Sequence, residues 1–88
     1  MKTKEQTIPK WFKGTIYKDQ NIEVTNPFSG ESYTLNGLEL SIYDFIIGSQ
    51  VVFETAPKSV TPEQVNDFHK ALTWFRKNNV DAYFVLLD

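Results

Sequence analysis

Residues 24–40 read VTNPFSGESYTLNGLEL, and whether this stretch holds one hairpin turn or two decides the fold. Pro27 fixes its φ at about −65° and has no N–H, while Gly30 tolerates a positive φ, so Asn-Pro-Phe-Ser-Gly has what a reversing loop requires. The runs on either side, residues 22–25 and 32–35, are rich in β-branched and aromatic types and read as strands. The second signal, Asn36-Gly37, is a favoured hairpin pair on its own. Its downstream neighbours favour a helix instead: Asn36 stands three residues before Glu39, so its side chain can accept from the free N–H groups of a first helical turn while Glu39 reaches back. The stretch therefore reads as one turn and one helix start.

Upstream, residues 12–17 (FKGTIY) form a further candidate strand, joined to residues 22–25 by the turn-prone Lys-Asp-Gln-Asn. This gives a hairpin, or a three-stranded meander if residues 32–35 join it. Residues 1–9 are polar, end in Pro9 and suit a flexible tail, leaving residues 10–88 as one domain.

Downstream, a helix over residues 38–54 places Leu38, Ile42, Phe45, Ile46, Val52 and Phe53 within an arc of about 120° at about 100° per residue. That is a core face. Leu40, Tyr43, Ile47 and Val51 form a second apolar arc, separated from the first by a strip of Ser41, Asp44 and Gly48. Either the helix is central in the fold or its second face is covered by another subunit. Thr61-Pro62-Glu63-Gln64 has an N-cap, a proline suited to the first helical position and the glutamine of a capping box. The helix it starts runs to about residue 78, with Val65, Phe68, Leu72 and Phe75 as its stripe. Trp74 lies off that stripe, where it covers a core edge or serves as a contact residue. Asn78 and Asn79 suit a left-handed helix end. Residues 80–88 are apolar enough for a last strand or helix, and Asn79 as a cap with Asp81 behind it favours helix. The fold class is α+β: a hairpin or meander, two antiparallel helices and a short last segment.

Composition excludes more than the motifs assign. With no cysteine and one histidine, His69, the chain has no disulfide and no structural zinc set. At 88 residues it buries roughly 60–65% of its unfolded surface, a modest core. No apolar run approaches the roughly 18 residues of a membrane span and the start lacks a signal-peptide core, so a soluble cytoplasmic protein is expected. The net charge of −2 is unevenly spread: residues 1–18 sum to +4, residues 19–56 to −6 with no base, and the remainder to 0.

No phosphate loop, nucleophile–histidine spacing or metal motif is present, so no catalytic residue, metal or cofactor is assigned. Asp44 between two apolar arcs must find water or a partner, and an Asp44–His69 acid–base pair is the sharpest catalytic constellation the residues offer. Asn-Pro-Phe at 26–28 matches a short motif read by some endocytic adaptor domains, but strand-like runs flank it. The expected function is a non-enzymatic protein-interaction module, an accessory or regulatory protein whose partner is another protein or a second copy. Its contact residues are Leu40, Tyr43, Ile47 and Val51, with Trp11 and Trp74 as anchors. The second reading is a single-stranded nucleic-acid binder, in which Lys10, Lys13 and Lys18 meet phosphates and Trp11 and Tyr17 stack on bases. The six unbalanced carboxylates next door argue against a polyanion. A small ligand-binding protein or enzyme centred on Asp44 is the third.

Overall fold

The computed structural model describes residues 9–12, 16–17 and 21–87. Two strands, β1 (Ile22–Thr25) and β2 (Ser32–Leu35), are followed by helix α1 (Gly37–Thr55), a single 3-10 turn (Pro57–Ser59), α2 (Pro62–Asn78) and α3 (Val80–Leu86). The arrangement is α+β. The strands pair antiparallel with Ile22 opposite Leu35 and Thr25 opposite Ser32. Alternation puts Val24, Tyr33 and Leu35 against the helices and Glu23, Thr25 and Thr34 into solvent.

The loop between the strands closes as its residue types dictate. Asn26 N–H donates to the Glu31 carbonyl at 2.7 Å, Gly30 N–H donates to the Asn26 carbonyl at 2.8 Å, and Gly30 takes φ +81°. Asn26 itself is buried. Its Oδ1 accepts from Phe28 N–H at 2.9 Å and its Nδ2 donates to the Val85 carbonyl at 3.0 Å, fastening the loop to α3.

Both capping boxes form. Asn36 Oδ1 accepts from Glu39 N–H at 2.7 Å while Glu39 Oε1 accepts from Asn36 N–H at 3.0 Å. Thr61 Oγ1 and Gln64 Oε1 accept the equivalent pair at 3.2 and 2.9 Å. Replacing Asn36 by Ala removes one acceptor for the first turn of α1. We expect a loss of about 0.5–2 kcal/mol in a urea melt, with the helical circular-dichroism signal retained.

Two expectations are corrected. Phe12, Ile16 and Tyr17 are described and none is in a strand, so the meander gives way to a two-stranded hairpin among the described residues; residues 13–15 and 18–20 lie outside them. Phe12 instead ends a turn closed on the Pro9 carbonyl at 3.1 Å, and Tyr17 N–H donates to Ser41 Oγ on α1 at 2.7 Å, so these donors serve a turn and a helix. The left-handed helix end also fails: Asn79 has φ −154°. It closes α2 through its N–H to the Phe75 carbonyl at 2.9 Å and opens α3 by accepting from Ala82 N–H at 3.2 Å, and an N-cap takes a non-helical backbone with negative φ. The last segment is helical over Val80–Leu86. Of the expected N-terminal tail, residues 1–8 lie outside the described residues.

The core cluster is Phe12, Leu35, Ile42, Ile46, Ala71, Phe75, Ala82 and Leu86. α1 and α2 run antiparallel, because Phe53 late in α1 meets Phe68 early in α2 at 5.1 Å between ring centroids, while Tyr43 early in α1 meets Phe75 late in α2 at 6.3 Å. Glu39, 2% exposed, ties the start of α1 to the α2–α3 junction by accepting from Asn79 Nδ2 at 3.0 Å.

Candidate functional site

The strip between the two arcs of α1 is where Tyr17 docks. Ser41 is buried and its Oγ donates to the Gly37 carbonyl at 2.8 Å while accepting the Tyr17 N–H. One turn on, the Tyr17 hydroxyl donates to Asp44 Oδ2 at 2.7 Å. That bond and the carboxylate's charge hold the Tyr17 phenol above its ordinary pKa, and burial followed by the Asp44 charge does the same for Tyr43. Both phenols therefore stay protonated at neutral pH, the wrong direction for a tyrosinate base or nucleophile. Gly48 is not a close-packing point: a Cβ built there meets nothing within 4 Å. Among the described residues no hydrogen bond or ion pair joins Asp44 to His69, and no group of three or more metal-ligating side chains comes together.

The expected contact residues are divided by the fold. Leu40 and Tyr43 pack against the core cluster. Ile47 and Val51 line a groove of about 410 Å³ together with Tyr43, Pro27, Phe28, Leu86 and Leu87. Val51 is 52% exposed, and Phe28 at the rim is 97% exposed. Glu54 is the one charged group among the described lining residues. Phe28 owes this position to its loop: the Asn26 side chain, bonded on one end to Phe28 N–H and on the other to α3, holds the turn so that the ring projects away. The same bonds bury the first residue of the Asn-Pro-Phe tripeptide, so it is not presented as an extended peptide.

Trp11 and Trp74 lie elsewhere, together lining a second groove of about 420 Å³ with Asn66, His69, Lys70 and Thr73. The Trp11 ring packs on Phe12 and Phe45 at 6.1 and 6.0 Å between centroids. At about 100° per residue, Phe45 and Ile47 stand about 200° apart on α1, so Trp11 rests on the side of that helix away from Ile47. Of the expected nucleic-acid set, Lys10 is exposed beside Trp11 and Tyr17 is engaged with Asp44, whereas Lys13 and Lys18 lie outside the described residues.

Sequence reasoning missed Phe28 as surface and Leu86 and Leu87 as groove lining. Phe28 was legible: an aromatic side chain in a tight loop between two short strands has no sheet face of its own to occupy. Among the described residues no helix is long and apolar enough to cross a membrane. Comparison of the chain with protein-family models, curated proteins and solved structures gives no match in any of the three.

Proposed function

We propose that this chain is a small, non-enzymatic interaction module, an accessory or regulatory protein of the cytoplasm, and that its first partner is a second copy of itself. The observation that carries this reading is Phe28, 97% exposed on the rim of an apolar groove lined by Ile47, Val51 and Leu87. A knob beside a hole on one surface is what a two-fold contact uses: each copy places its Phe28 in the groove of the other, and one operation satisfies both. A phenylalanine buries about 150–250 Å², and the symmetry doubles it, giving about 300–500 Å² from the two rings before the groove walls and the rim are counted. The groove walls, Gln50, Glu54 and the polar loop residues bring the total toward the roughly 1,200 Å² at which specific interfaces begin. The groove lining carries little charge of its own to desolvate, with Glu54 placed where it can stay wet.

The test is the solution mass as a function of concentration, read by sedimentation equilibrium on the full chain and on Phe28→Ser. Burying one such ring contributes about 1.5–3 kcal/mol, and each substitution acts twice, so the dimer constant should weaken by a factor of about 10² or more. Thermal stability of the dissociated chain should stay within about 0.5 kcal/mol, because the ring contributes little to the monomer core. A wild-type chain that remains monomeric at high concentration refutes self-association.

A further inference from the structure

The groove on the outer side of α2 brings together groups that lie far apart along the chain. Trp11 comes from the N-terminal turn and Trp74 from α2, with His69 and Lys70 on the same helix and Asn66 and Thr73 completing the walls. At about 100° per residue, Asn66, Lys70, Thr73 and Trp74 fall within an arc of about 100° on α2. Both indoles pack on the core cluster behind them, which holds their orientation and leaves part of each toward the groove. The described lining contains no carboxylate, and Lys10 is exposed next to Trp11. Six of the acids that make the chain net negative fall in residues 19–56, none of which lines this groove.

We infer that this groove binds a nucleobase carrying a phosphate, either as a free nucleotide or as a unit of a single strand. Indole faces stack on any base, a contact worth about a fivefold to hundredfold change in affinity per base. The Lys70 ammonium, helped by Lys10, meets the phosphate, and Asn66 and Thr73 offer hydrogen bonds to sugar or base edges. The groove is shallow and open, with about 420 Å³ of space over it, so a base would lie against the indoles rather than inside a closed pocket. This site is separate from the Phe28 groove, so it stands whether or not the chain dimerises.

The chain's two tryptophans both line the groove, so intrinsic fluorescence reports its occupancy directly. Titration with thymidine monophosphate and with oligothymidylate of about ten nucleotides separates the two sources. Saturable quenching by the mononucleotide at comparable affinity identifies a nucleotide site; quenching by the oligomer alone identifies a strand site. For a strand, affinity should fall by about tenfold between about 50 and 200 mM salt. Lys70→Glu should weaken binding at least about fivefold and lower the salt slope by about one. Lys58→Glu makes the same charge change on the exposed 3-10 turn, outside the groove, and should leave affinity nearly unchanged. Failure of both ligands to quench, or equal losses in the two lysine variants, overturns the inference.

Discussion

Replacing Phe75 by Ala should bring the chain close to unfolding. Its ring is fully buried at the centre of the cluster, against Tyr43 of α1 and among Ile42, Ile46 and Ala71. Loss of a buried phenylalanine costs about 3–5 kcal/mol, because the cavity left behind collapses only in part. At about 0.05–0.15 kcal/mol per residue, a chain of 88 residues has only about 4–13 kcal/mol in total. A urea melt should therefore show the midpoint displaced strongly with a nearly unchanged slope. Phe84→Ala is the matched control, since Phe84 is 56% exposed, and it should cost far less, within about 1 kcal/mol. Equal losses in the two variants would mean that α2 does not hold the core as described.

Most of the fold is legible in the sequence because its decisive signals are local. Asn36 with Glu39 and Thr61 with Gln64 each satisfy backbone donors within their own turn, so three residues of spacing suffice to place a helix start. The two strands are likewise set by the loop between them, whose Pro27 and Gly30 act on neighbouring backbone. What local chemistry leaves open is decided at a distance. Residues 12–17 have strand composition, yet Tyr17 gives its N–H to Ser41 and its hydroxyl to Asp44, 24 and 27 residues away. Asn79 reads locally both as a left-handed helix end and as an N-cap; the N-cap is the one formed, with φ −154°, and its side chain reaches the carboxylate of Glu39, 40 residues earlier.

The candidate surfaces are legible in kind and not in position. Helical periodicity shows that α1 has two apolar arcs, but a wheel drawn on one helix does not say what packs against it. Leu40, nearer the start of α1, is taken up by the core cluster and Tyr43 packs on that cluster while also lining the groove, whereas Ile47 and Val51, one and two turns beyond Tyr43, line the groove beside the loop and the end of α3. Trp11 and Trp74 read in the sequence as anchors of the same contact as that arc. They face the other side of the molecule because Trp11 joins Phe12 in contact with Phe45 on the first arc. A separation of 63 positions along the chain gives sequence inspection no means of pairing them.

The division of the arc also fixes the sharpest test of self-association. Ile47 lies partly buried on the groove wall, and Val51, one turn on, is 52% exposed. A carboxylate at Val51 costs little while the groove is wet and one at Ile47 somewhat more, but at either position it costs several kcal/mol once a partner's ring displaces that water. Ile47→Asp and Val51→Asp should therefore each give a folded monomer at concentrations where the wild-type chain is dimeric, with the helical signal intact. The two positions differ in one respect that separates interface from core. Ile47 retains intramolecular contact, so its variant should lose about 1–2 kcal/mol of monomer stability, whereas Val51→Asp should lose about 0.5 kcal/mol or less. If Ile47→Asp unfolds, Val51→Asp still reports on the groove alone. A Val51→Asp chain that keeps the wild-type dimer constant places the contact somewhere other than this groove and removes Phe28 from its role.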